Sequence, residues 1–297
     1  MIAPSALATE LASAHPPVVL DVRLADDYEA CHIAGALNNA VFEVSFNERF
    51  PAQLPDKARP VCIYGASGSS HEAGMAVEKL ERAGYTDVAE LEGGLEAWLA
   101  AGLPNTCGAP LPPAPAVPHG RLLVDLEHSR IGWTGRNLLN HHHGYVPVKS
   151  GWLDFVNGRL TGGEIDIDLE HIGCNDLAGT DYHAVLIRHL HDHDFFDVAR
   201  FPEARLVITS ATHLDAGSPG APNLHVHADL TMKGQTHPIE FAAASGVTAE
   251  GQAAAQASFA IDRTRWGVLY GSGKFFHRLA GHLVNDFIEF EVKIVTG

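Results

Sequence analysis

Residues 287 to 295 read Phe287-Ile288-Glu289-Phe290-Glu291-Val292-Lys293-Ile294-Val295. Positions 288, 290, 292 and 294 are apolar while 289, 291 and 293 are charged, so the hydrophobic period is two. Successive strand side chains point to opposite faces, and this alternation predicts a half-buried antiparallel strand with one wet face. The same period runs through Leu224-His225-Val226-His227-Ala228-Asp229-Leu230-Thr231-Met232 and through Ile165-Asp166-Ile167-Asp168-Leu169. Several such segments, separated by turns rich in Gly, Asn and Asp, predict a sandwich or barrel.

Moving towards the N-terminus, the pattern breaks at a run containing Pro104, Pro110, Pro112, Pro113, Pro115 and Pro118. Such a stretch favours polyproline II and is read as a spacer. The expected division is residues 1–103, a linker over 104–119, and residues 120–297. Cys107 falls on the linker as an exposed, incidental thiol. Before the linker, Val18-Val19-Leu20 and Val61-Cys62-Ile63-Tyr64 are short apolar runs of the buried parallel kind. Ala73, Ala76, Val77 and Leu80 then share one helical face that ends at Gly84, with Ser69 and Glu72 at capping-box spacing. The first part is expected to be α/β and the second all-β.

Three stretches of the second part carry a resemblance. Leu186-Ile187-Arg188-His189-Leu190-His191-Asp192-His193-Asp194-Phe195-Phe196-Asp197-Val198 precedes Phe201-Pro202. Asp229-Leu230-Thr231-Met232-Lys233-Gly234-Gln235-Thr236-His237-Pro238-Ile239 and Ile261-Asp262-Arg263-Thr264-Arg265-Trp266-Gly267-Val268 follow in order. Together they resemble the YceI-like family over residues 120–297. The resemblance implies a lipocalin-like, antiparallel, eight-stranded barrel whose members bind polyisoprenoid chains or similar amphiphiles. A barrel of eight strands holds either its own side chains or one small ligand, and the alternation does not choose between them.

If a ligand binds, the stretch over 266–276 is the expected rim, offering Trp266, Tyr270, Lys274 and Phe276 between glycines, with Lys274 as the cation for an anionic or carbonyl head group. Trp133 and His142 are expected to face it, and His189, Phe195, Phe196 and Arg263 complete the candidate ligand set. His189 is also read as a structural hydrogen-bond former.

The first part resembles a rhodanese, or sulfurtransferase, domain through Asp21-Val22-Arg23, His32-Ile33-Ala34-Gly35-Ala36 and Leu91-Glu92-Gly93-Gly94-Leu95-Glu96-Ala97-Trp98. Its active-site loop is similar to that family's Cys-x-x-Gly-x-Arg-Ser but reads Gly65-Ala66-Ser67-Gly68-Ser69-Ser70-His71. Glycine stands where the resemblance implies the persulfide nucleophile, and Ser70 where it implies arginine. A hydrogen atom cannot replace a nucleophile, so the domain is expected to be catalytically silent. A semicircle of amides over Gly65, Ala66, Ser67, Gly68, Ser69 and Ser70, running into a helix N-terminus, still attracts anions. Cys62, three residues upstream, is read as a buried small hydrophobe rather than a displaced nucleophile.

The chain carries 20 Lys and Arg against 36 Asp and Glu, a formal charge of −16 shared by both parts, which disfavours nucleic acid and anionic membrane surfaces as partners. The N-terminal residues lack a basic n-region and a long apolar run, and no segment has spanning length. With four cysteines at no metal-like spacing, a reducing cytoplasm is expected. Nineteen histidines, including the run His141-His142-His143 and the alternating His189, His191 and His193, raise a metal reading. His225 and His227 are placed on the solvent side of their strand. The expectation is no metal and no cofactor beyond a bound isoprenoid or other lipid.

The leading reading is therefore a two-domain binding protein for an isoprenoid, quinone-like or fatty amphiphile, with a silent rhodanese-like domain as an anion-binding or regulatory module and a possible homodimeric state. A sulfurtransferase-related enzyme and a His-rich metal-binding stress protein are the competing classes.

Overall fold

The computed structural model describes residues 1–297 except 109, 112, 114, 216, 219 and 278–282. Ala109, Pro112 and Ala114 of the expected linker thus lie outside the described residues. The chain divides into two compact units, Met1–Pro113 and Ala114–Gly297.

In the first unit a four-stranded parallel sheet runs in the order Leu37–Asn38, Val18–Asp21, Val61–Tyr64, Val88–Glu90. Both faces are covered. Leu20, Val22 and Ile63 pack with Phe46, Phe50, Ala76 and Leu80 on one side. Val19, Cys62 and Tyr64 pack with Leu7, Ile33 and Trp98 on the other. Neighbouring residues of one strand thus serve opposite cores, and for that reason these strands read as continuous apolar runs. Asp21 ends its strand fully buried. Its carboxylate accepts from Arg23 Nε at 3.1 Å and Nη2 at 2.6 Å, and Nη2 also donates to the Cys31 carbonyl at 2.7 Å.

Two expectations are corrected here. Asn105–Cys107 forms a strand antiparallel to Cys31–Ile33, so the first unit continues past residue 103. Cys107 lies directly opposite Cys31 and is disulfide-bonded to it across 76 residues of sequence, not left as an incidental thiol. Spacing along the chain had no means of showing this pairing, because the two strands meet only in the fold.

Among the described residues the second unit is an antiparallel sheet of eleven strands rather than the expected eight. Pro147 interrupts one path into His141–Val146 and Val148–Val156. Gly120–Leu123 and Gly173–Cys174 add two short segments at the ends of the order. The first half of the interrupted path pairs with Arg130–Arg136 and the second with Arg159–Asp168, which brings the two ends of the sheet together. Further closure comes from the N–H groups of Asp125 and Gly297, which donate to the carbonyls of Val295 and Leu123. Inside and outside follow the period of two. Leu224, Val226, Ala228, Leu230 and Met232 are buried, and His225 and His227 face out between them. A helix, Asp181–His191, and the segment after the 3₁₀ turn Arg263–Trp266 lie outside the strand pattern. Both contribute side chains to the hollow described next.

Candidate functional site: an apolar cavity and a filled loop

The barrel encloses a cavity of about 370 Å³. Its wall is built from inward positions of consecutive strands, including Ile131, Ile165, Leu206, Leu230 and Val292. An aromatic row crosses three neighbouring strands: Phe241 stacks on Phe259 at 4.3 Å and 11°, and Phe259 meets Phe290 at 5.8 Å. Register makes this row, since Phe259 is the direct partner of Phe290. Sequence reasoning missed Phe241 and Phe259. The available signal was their place on the inward phase of alternating strands.

Of the expected ligand residues, Trp133, His142, His189, Phe195, Phe196, Arg263 and Tyr270 line the cavity. Trp133 is held by its indole N–H, which donates to the Gly173 carbonyl at 3.1 Å. His189 sits on the helix with Tyr270 edge-on at 4.3 Å and Phe195 at 5.5 Å. Its Nε2 is buried and has no hydrogen-bond partner among the described residues, so the expected structural hydrogen bond is not made there. The helix ends at His191 and His193 lies beyond it, so the alternating histidines do not share a strand face.

Three expected rim residues are elsewhere. Trp266 is fully buried, donates its indole N–H to the Leu230 carbonyl at 2.9 Å and meets His237 edge-on. It plugs the 3₁₀ turn, where an aromatic finds a carbonyl partner and an apolar bed. Lys274 is not a free cation, because it pairs with Asp262 at 2.7 Å and Asp286 at 3.2 Å. Phe276 is exposed and does not reach the cavity.

The polar groups that do reach it are of two kinds. Arg263 is buried, yet its guanidinium is spent on backbone: it donates to the carbonyls of Asn285, Val268, Tyr270 and Val284 at 3.0, 2.6, 2.8 and 3.2 Å. Burial lowers its pKa. At the end of the neighbouring hairpin stand Arg136, Asn137, Asn140 and His142, of which Arg136 and Asn137 were not foreseen. His142 Nδ1 lies 2.7 Å from Asp176, which also accepts the His143 N–H and the Cys174 thiol. Burial alone would raise the Asp176 carboxyl, but these hydrogen bonds outweigh it and hold the pKa far below the ordinary carboxylate range.

In the first unit the loop over residues 65–71 joins the strand Val61–Tyr64 to the helix Glu72–Arg82. The expected capping box is not formed: His71 precedes the helix without a side-chain cap. Glu72 instead turns back, and its carboxylate accepts the Ala66 N–H at 2.7 Å. A Cβ on Gly65 would lie 2.6 Å from Glu72 Oε1. The glutamate therefore fills the space in front of the missing side chain. Burial would raise its carboxyl, and hydrogen bonds from Ala66, its own N–H and Ser70 bring it below the usual value. Three further amides of the loop also have acceptors. Ser67 N–H donates to Ser70 Oγ, Ser69 N–H to Ser67 Oγ, and Ser70 N–H to the Ser67 carbonyl. Of the six amides expected to form the anion loop, those of Ala66, Ser67, Ser69 and Ser70 already have acceptors, in the loop or on Glu72. Cys62 is buried in the core, where burial first and Glu10 second push its thiol up to about 12. It stays a thiol.

The second unit is thus a barrel closed around an apolar hollow, and the first an α/β domain whose strand-to-helix loop starts at Gly65. The model of the YceI-like domain matches residues 123–296, more than half of the chain, and the chain belongs to that family. The model of the Rhodanese-like domain matches residues 4–101. Thiosulfate sulfurtransferase PspE of Escherichia coli is 39% identical over 77 residues, which is 26% of this chain and 69% of that protein. Among solved structures, BcnA of Burkholderia cenocepacia is 17% identical with a TM-score of 0.47, covering 59% of this chain and 99% of that one. A polyisoprenoid binding domain from Saccharophagus degradans is 14% identical with a TM-score of 0.44, covering 60% and 98%. The fold class expected from the sequence, α/β rhodanese-like followed by an antiparallel lipocalin-like barrel, is the one observed. No described helix is long and apolar enough to cross a membrane.

Proposed function

We propose that the barrel holds one amphiphile with a long apolar chain, of isoprenoid, quinone-like or fatty type, and that no bond is made or broken there. The cavity carries this reading: its apolar wall and its volume of about 370 Å³ fall within the range of small-molecule sites, and membership of the family supports it. Chain burial supplies affinity at roughly 25 cal/mol per Å² with little selectivity for length. Orientation then falls to the few polar atoms of the wall, where, among the described residues, His189 Nε2 is buried without a partner. A hydroxyl or carbonyl at the ligand's end satisfies it.

The test is titration with farnesol and with a hydrocarbon of equal length, read by Trp133 emission. His189→Leu is expected to weaken farnesol by about threefold to tenfold, the worth of one hydrogen bond, and to leave the hydrocarbon unchanged. Equal loss for both ligands, or for neither, contradicts the assignment.

The rhodanese-like domain is read as catalytically silent, with Glu72 as its resident anion. The supporting observation is the carboxylate lying against Gly65, with no thiol in the loop. Thiosulfate:cyanide turnover is expected at background in the wild type and unchanged by Cys62→Ser. Gly65→Cys alone is expected to stay silent as well, because Glu72 faces the new side chain and its charge holds the thiol protonated. Turnover in the wild type contradicts this reading.

A further inference from the structure

We propose that His225, His227 and Glu240 form a binding site for a divalent transition-metal ion, zinc or copper(II), on the outer wall of the barrel. The fold assembles it from two adjacent strands. His225 and His227 are two residues apart on Leu224–Met232, so both imidazoles leave the same face. On the neighbouring strand, Gln235–Val247, Glu240 is the direct partner of His227. The buried residues Leu224, Val226 and Ala228 lock the strand from inside, fixing the phase of the two histidines.

His225 Nε2 and His227 Nδ1 each lie 3.6 Å from the same oxygen of Glu240, Oε2. The three ligand atoms all fall within 4.8 Å of one another. Tetrahedral zinc with bonds of about 2.0–2.1 Å needs its ligands about 3.4 Å apart, so only small side-chain rotations are required. The imidazoles stack at 4.8 Å and 22°, and neither makes a side-chain hydrogen bond among the described residues. Their nitrogens are therefore available. Two imidazoles and a carboxylate suit zinc and copper(II), and three protein ligands leave a coordination position to solvent.

Two other groups of ligand-type side chains differ in this respect. In His142, Cys174 and Asp176 the carboxylate is already engaged by the imidazole at 2.7 Å and the thiol at 3.2 Å. In Asp192, His193 and Asp194 the imidazole is bound to Asp192 at 2.6 Å, and the three residues are consecutive in sequence. Among the described residues, only the outer-wall group of the three has its donors converging without internal hydrogen bonds.

The test uses the full chain, stripped with chelator, reloaded with zinc and examined by native mass spectrometry and equilibrium dialysis. One zinc per chain is expected. His225→Ala with His227→Ala should abolish it, and Glu240→Gln should weaken it by about tenfold or more. Cys174→Ser should leave it unchanged. His225 is half-exposed and His227 and Glu240 are exposed, and matching melting curves of the metal-free variants show that loss of zinc is not loss of fold. A cobalt(II)-loaded sample should show no thiolate charge-transfer band. Absence of stoichiometric zinc in the wild type overturns the proposal. So does zinc retained by the double histidine variant and lost on Cys174→Ser, which places the metal at the Cys174 group.

Discussion

Replacing Arg263 with alanine is expected to destabilise the barrel by about 3–4 kcal/mol and lower its unfolding temperature by about 10 °C. The side chain is among the largest fully buried ones in the chain, and its guanidinium is a four-pronged clasp on backbone. The carbonyls of Val268 and Tyr270 belong to the segment leaving the 3₁₀ turn, and those of Val284 and Asn285 to the segment that returns to the last strand. Removing the clasp leaves four acceptors facing a hole that also opens onto the cavity. Hydrogen bonds to a charged donor are worth more than neutral ones, and their loss inside a low-dielectric wall is not repaid by solvent. Lysine keeps the charge but not the planar fork, so Arg263→Lys should recover less than half of the loss. Thermal unfolding of the full chain, followed by tryptophan emission from the barrel, reads the effect. A loss below about 1 kcal/mol contradicts the clasp.

The second large effect belongs to the first unit. Asp21→Ala is expected to cost about 3–5 kcal/mol, because it strands the Arg23 cation beside a fully buried site. Arg23 loses two contacts to the carboxylate and retains the Cys31 carbonyl. Tyr64 shares the pocket: its hydroxyl accepts the Ile33 N–H, and burial first and Asp21 second push its pKa up. The wound would therefore reach the strand next door. Combining Asp21→Ala with Arg23→Met should recover part of the stability, since a missing pair is cheaper than a widowed charge. Trp98, the one tryptophan of this unit, is buried in the adjoining core and reports its unfolding. A single variant as stable as wild type, or a double variant no better than the single, contradicts the account.

What the sequence made legible was whatever depends on period and on short motifs. The alternation in residues 287–295 put Ile288, Phe290 and Val292 on the cavity side, where they are found. What the sequence hid depends on contacts between distant segments. Glu72 has capping spacing from Ser69, yet the space beside Gly65 and the free N–H of Ala66 draw its carboxylate backwards instead. The motif around Trp266 looked like a rim because it joins aromatics to glycines. In three dimensions the indole finds the Leu230 carbonyl inside the turn, and only Tyr270 of that expected set reaches the cavity. The Phe241–Phe259–Phe290 row is a product of strand register. Likewise, Cys31 and Cys107 meet only through a two-stranded ribbon that neither local pattern announces.

An amphiphile in the barrel is detected by native mass spectrometry of the detergent-free chain, paired with solvent extraction. A single non-covalent adduct on the order of several hundred daltons is expected, recovered in the organic phase and competed by added isoprenoid alcohol. Bare protein that also fails to take up isoprenoid, quinone or fatty ligands would contradict it.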